Sequence, residues 1–245
     1  MTRHRLARLC SASCALVLGG AILTSATMRP VDGAPSVPAA PLSSPVTTPA
    51  GSALLLLQKK GEAAIDRRLD SLSQLHGSLS SATSISDGDR ALLLGDIDRA
   101  TSGLADVRST IVLGASFRAV SDAVGTIIGS YRVYSVLVPR CHLVMGVALA
   151  QEAADTLERV NKTLAPQAAD APTRALATWS EATIAIARTG LAPVIASVLS
   201  LDAAGWPGNK TALDSAKAAL IDARRSLGTA LDATTRLASG VPANP

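Results

Sequence analysis

Residues 209–237, NKTALDSAKAALIDARRSLGTALDATTRL, decide the fold. Leu213, Ala216, Leu220, Ala223, Leu227, Ala230, Thr234 and Leu237 recur at alternating spacings of three and four, which puts all of them on one seam of an α-helix. Ala alternates with Leu along that seam, so a partner helix can press close against it. The period predicts an all-α chain: an antiparallel helical bundle of long, partly kinked helices with coiled-coil-like contacts. Trp206-Pro-Gly-Asn209 supplies a turn just ahead, with Asn209 placed to cap the helix. Asp214 with Lys217 and Asp232 with Arg236 are spaced for surface pairs.

The same period is found upstream. Ile65, Leu69, Leu72, His76 and Leu79 form a first seam, ended by Gly77 and the cluster from Ser80 to Ser86. Ser86 followed by Asp87 and Asp89 opens a second helix, whose face is Leu93, Ile97, Ala100, Leu104, Val107 and Ile111. From Phe117, Val120, Val124, Ile127, Tyr131 and Tyr134 continue a helical face. Tyr131 to Val138 is also rich in β-branched and aromatic residues, so helix and extended chain both stay open there. The helical reading puts a kink or tight turn at Pro139. A further helix follows to Leu164, and Pro166 and Pro172 bracket a loop. The next helix, about 172–201, carries Leu176, Trp179, Thr183 and Ile186, with a kink at Gly190 and Pro193. Short connections between such helices predict antiparallel neighbours.

The chain begins with the order of segments of a secretory leader. Arg3, Arg5 and Arg8 precede an apolar run from Leu9 to Leu23, and small residues follow at Thr24-Ser25-Ala26. Residues 1–26 therefore read as a signal peptide, with cleavage as late as 34, and the protein as secreted or associated with the cell envelope. If the leader is retained, it becomes an anchoring helix and brings membrane association. Residues 27–51 carry Pro30, Pro35, Pro38, Pro41, Pro45 and Pro49 and read as a disordered, semi-rigid linker. Residues 52–238 then form one helical domain, and 239–245 a disordered tail.

Four of the 23 basic residues and one of the 19 acids precede Ala34, which leaves the domain nearly neutral. A nucleic-acid footprint, which needs a basic stripe, is not expected. Cys141 alone survives removal of the leader, so no internal disulfide is expected and stability must come from packing.

The stretches Tyr131-Arg-Val-Tyr-Ser-Val-Leu-Val-Pro-Arg140 and Trp206-Pro-Gly-Asn-Lys210 resemble segments in a group of uncharacterised exported α-helical proteins of actinobacteria and other bacteria. The likeness spans the domain and implies a helical fold and export. It brings no activity, ligand or catalytic residue with it.

Chemistry is sparse. Cys141 and His142 adjoin in sequence, but neighbours on a helix point about 100° apart and make no nucleophile–base pair. No Glu-x-x-His, phosphate loop, nucleophile elbow or zinc spacing occurs, so no catalytic, cofactor or metal residue is assigned. The acids Glu62, Asp66 and Asp70 share a face and could hold a hard cation, but Arg67 and Arg68 beside them favour a solvated surface. Tyr131, Arg132, Tyr134 and Arg140 are the candidate partner surface, because Tyr and Arg are favoured interface anchors. Packing at the kink is the competing reading of that segment. The expected role is a non-catalytic interaction module whose partner is a protein or an envelope component. The alternative is a lipid-associated helical protein, suggested by Leu54 to Leu57 followed by Lys59 and Lys60, and an enzyme is the least favoured reading.

Overall fold

A computed structural model describes residues 49–240, and they are helical almost throughout. The leader, most of the Pro-rich segment and the last five residues lie outside the described residues. The helices are α1 (Pro49–Ser81), α2 (Asp87–Leu113), α3 (Phe117–Gly129), α4 (Val138–Leu164), α5 (Ala171–Leu191), α6 (Val194–Leu199) and α7 (Asn209–Gly240). A π-helical turn, Val133–Leu137, leads into α4, and a single 3₁₀ turn, Ala165–Gln167, leaves it. Pro49, expected in the linker, stands instead in the first turn of α1, where its missing N–H costs nothing.

Three helix starts are set by side chains. Ser86 Oγ accepts from the Asp89 N–H (3.1 Å) and donates to Asp89 Oδ2 (2.8 Å), a reciprocal cap for α2. Ser116 caps α3 through the Ala119 N–H. Asp170 caps α5, accepting from the Thr173 hydroxyl (2.6 Å) and N–H (2.8 Å). These bonds, the hydroxyl's first, hold the Asp170 carboxyl below its ordinary pKa. Asn209 does not cap α7. Its Nδ2 donates back to the Asp202 carbonyl, while Asp202 Oδ1 accepts from the Gly205 N–H at 2.8 Å.

One aliphatic core runs through the helices from α1 to α7, with a satellite cluster of Ala168, Ala177 and Leu237 at one end. On α2 the six expected seam residues are the buried ones. On α1, Leu75 replaces His76: the seam is Ile65, Leu72, Leu75 and Leu79, and His76 is exposed with Nε2 3.9 Å from Asp98. Leucine gains by burial and imidazole loses, so the step of three from Leu72 wins over the step of four. Gly77 lies within α1 rather than at its end.

Residues Ala171–Leu199 and Phe117–Gln167 include stretches apolar and long enough to cross a bilayer, with mean hydropathies of 1.7 and 1.6. The second stretch also supplies much of the core, through Val133, Val144, Val147, Ala150 and Ala154.

The largest interface joins α5 to α7. α5 buries Thr173, Ala177, Ser180, Ile184, Ala187 and Leu191, and α7 buries its seam of residues 213–237 together with Ala233, a seam it shares among α5, α4 and α6. Ser180 Oγ lies 2.9 Å from Thr234 Oγ1, and Thr234 Oγ1 donates to the Ala230 carbonyl at 2.8 Å. The two buried hydroxyls are therefore partnered inside an otherwise apolar contact. The expected face of α5 was one position out of register: Trp179 and Ile186 point to solvent, and their small neighbours face α7. Small side chains win because α7 presents Ala at every second seam position and leaves little depth for an indole. α4 also closes on α7, through Gly146: a Cβ there would stand 2.8 Å from Leu220 Cδ2.

Outer charges pair locally. Lys210 meets Asp214 at 2.7 Å in place of the expected Lys217, and Arg188 joins Asp155 and Glu158 from α5 to α4. The pair Asp232 with Arg236 does not form among the described residues. Such exposed pairs add only tenths of a kcal/mol.

Ala223 is buried at the centre of the α7 seam. Ala223→Leu is expected to lower unfolding free energy by about 1–3 kcal/mol through overpacking, read by denaturant titration. A loss below about 0.5 kcal/mol contradicts the register.

Candidate functional site

The segment from Tyr131 to Arg140 departs from regular helix, and Pro139 is the reason. An α-helix through Pro139 would drive its ring into the carbonyl of Ser135. The chain instead breaks at Arg132, whose φ of 41° and ψ of 39° are left-handed, and resumes in a wider register. Arg132 O accepts from the N–H groups of Ser135, Val136 and Leu137, and Val133 O accepts from Val138. The wider turn brings Pro139 into the opening turn of α4, where no donor is needed. The break thus falls seven residues before the expected kink, and the local structure is helical rather than extended.

This geometry sends the four candidate side chains in different directions. Tyr131 is half-buried and turned toward α2, where its ring occupies the space that a Cβ on Gly103 would fill: such an atom would lie 2.5 Å from Tyr131 Cε1. Arg132 lies over Trp206, 5.7 Å from the ring centroid, which ties the left-handed residue to the turn before α7. Tyr134 is exposed over α1. Its hydroxyl donates to the Arg67 carbonyl at 2.8 Å and lies 3.1 Å from Ser71 Oγ, and the Arg68 guanidinium lies 5.2 Å from its ring.

Arg140 is buried, with only 8% of its surface exposed. Its Nη1 donates to Asp96 Oδ2 of α2 at 2.5 Å and its Nη2 to the Leu199 carbonyl at the end of α6 at 2.7 Å. One guanidinium therefore joins α2, α4 and α6. Arg140 is a tie inside the molecule and is unavailable to a partner. Of the four residues, Tyr134 presents the most surface.

Tyr134 also borders a shallow cavity of about 220 Å³ with Ser71, Gln74, Leu75, Ser78, Val138 and His142. Partial desolvation holds His142 below the ordinary histidine pKa. Cys141 points the other way, into the core, and burial pushes its thiol up to about 12, with Arg140 opposing. It stays protonated at neutral pH, and the two residues form no reactive pair. A second cavity of about 220 Å³ lies between α4 and α5, lined by Glu158, Asn161, Lys162, Glu181 and Arg188 among others. Asn161 is buried there and donates Nδ2 to the Ala177 carbonyl at 3.0 Å. The hydrogen bond to Lys162, then the Arg188 charge, lower the Glu158 pKa.

The acid ladder is dispersed. Asp66 is paired with Arg108 of α2, Asp70 is exposed, and no group of three metal-type ligands converges among the described residues.

Two surface features escaped the sequence reading. One is the outward stripe of α5, where Trp179 is 49% and Ile186 66% exposed with Ala182 between them. The line of Thr173, Ala177, Ser180 and Ala187, small and set at helical spacings of four, three and seven, was the signal for it. The other is the cluster of exposed apolar residues around Leu113, where α2 ends.

Arg140→Ala is expected to destabilise the protein by about 2 kcal/mol, because it leaves the Leu199 carbonyl without its donor and the Asp96 carboxylate with Arg99 as its remaining partner. Tyr134→Phe, which removes one exposed hydroxyl, is expected to cost about 1 kcal/mol or less. Equal effects in thermal and denaturant unfolding would contradict this division of the segment.

Comparison with protein-family models, curated proteins and solved structures found no match, so the functional reading rests on the geometry above.

Proposed function

We propose that this chain is an exported, antiparallel helical bundle that works by binding rather than catalysis, as an interaction module of the cell envelope or the extracellular space. The pairing order of the helices supports the antiparallel arrangement: Thr173 lies against Gly240 while Ser180 lies against Ala230 and Thr234, so α5 and α7 run in opposite senses. The leader-like residues 1–26 support export.

The outward stripe of α5 carries the binding role. A tryptophan and an isoleucine stand one above the other on the surface, although smaller residues beside them are buried. Large apolar groups exposed on one face of a helix mark contact surfaces, and tryptophan is among the side chains most enriched at their energetic centres. Tyr134, the accessible member of the expected Tyr131–Arg140 surface, is a secondary contact.

Fractionation of cells expressing the full-length chain tests both parts. Export with cleavage between Ala26 and Ala34 is expected, with an envelope component that co-purifies. Trp179→Ala combined with Ile186→Ser is expected to weaken that capture at least tenfold while leaving the melting temperature within a few degrees. Cytoplasmic protein with an intact Met1 overturns the export reading. Undiminished capture by the double variant overturns the assigned surface.

A further inference from the structure

The end of the molecule where α1 begins gathers several exposed apolar residues from three helices. Gln58 of α1 donates Nε2 to the carbonyls of Ile111 (3.0 Å) and Gly114 (3.2 Å), which fixes the first turns of α1 beside the α2–α3 connection. α3 runs alongside: a Cβ on Gly61 would lie 2.9 Å from both Ile111 Cδ1 and Val124 Cγ2, so Phe117, two turns before Val124, reaches the same end. Leu54 and Leu57 turn inward onto the core. Leu55, Leu56, Val112, Leu113 and Phe117 do not: Leu113 is 82% exposed and Phe117, the chain's single phenylalanine, 55%.

No acid occurs in residues 49–58 or 109–117. The first charges behind this apolar tip are basic: Lys59 and Lys60 on α1 and Arg118 on α3, all exposed. Glu62 and Asp122 lie a further turn back, with Asp122 4.0 Å from Arg118. Apolar side chains at the tip with a basic collar behind them match the layering of a bilayer surface, acyl chains first and anionic headgroups next. α1 begins at this same end, so the Pro-rich segment that precedes Pro49 in the sequence joins the molecule where the tip lies.

We propose that this end docks on an anionic lipid surface, with Leu113 and Phe117 entering the headgroup–acyl boundary and Lys59, Lys60 and Arg118 meeting lipid phosphates. The proposal deepens the envelope reading and rests on it for the membrane encountered, while the α5 stripe stays free for a second contact.

The test uses the full-length chain carrying Phe117→Trp, mixed with phosphatidylcholine vesicles with and without phosphatidylglycerol, the acyl chains being brominated. Trp179 and Trp206 remain as background, so the readout is the difference from the unsubstituted chain. Quenching of the added fluorescence on phosphatidylglycerol vesicles is expected, with binding on the order of tenfold or more tighter than on phosphatidylcholine alone. Lys59→Glu with Lys60→Glu should abolish that preference at unchanged melting temperature. A leader that anchors by itself, without this end inserting, leaves the added fluorescence unquenched and overturns the proposal. Equal quenching on both vesicle types overturns it as well. Neither result touches the export reading, which fractionation decides separately.

Discussion

Close approach between α5 and α7 is the constraint on which the rest of the structure depends. The chain has five aromatic residues in 245, so its core is filled by Leu, Ile, Val and Ala, and helices must come near one another to exclude water. Alanine on the α7 seam permits that approach, and small residues on α5 complete it. The energetic gain is dispersion contact along the α5–α7 interface, with the Ser180–Thr234 pair satisfied inside it. One consequence is functional. Once the face of α5 that carries Ala177, Ser180 and Ala187 is committed to the core, Trp179 and Ile186 beside it face outward, so the packing that stabilises the fold also creates the exposed stripe.

A second constraint comes from Pro139. The backbone accommodates it by widening the helix and by placing Arg132 in the left-handed region, at a cost on the order of 1 kcal/mol or more. The break rotates the residues around it. Tyr134 then meets α1, Arg132 meets Trp206, and Arg140 falls where Asp96 and the end of α6 can both reach it. A segment with the composition of an interface is thereby spent mostly on joining helices of its own chain.

Much of this was legible in the sequence, for identifiable reasons. α2 and α7 bury the residues their periods indicate, because each has one apolar stripe with polar residues on both flanks. α5 misled because it carries apolar residues on two adjacent faces: period alone gives two registers, and residue size favours the wrong one when the partner helix wants small side chains. His76 lost its seam position to Leu75 for the ordinary reason that imidazole is costly to bury. The site was legible only as composition. Nothing local to residues 131–140 reveals that Asp96, 44 positions earlier, lies opposite Arg140, since that pairing depends on how α2 docks on α4.

The pairing of α5 with α7 can be measured directly by cross-linking. Ser180→Cys with Thr234→Cys, in a Cys141→Ser background, places two thiols where the hydroxyls now lie 2.9 Å apart. The account predicts that mild oxidation links them and that peptide mapping locates the bond between the two helices. Efficient linking of Trp179→Cys to Thr234→Cys, with the Ser180→Cys pair left unlinked, would contradict it.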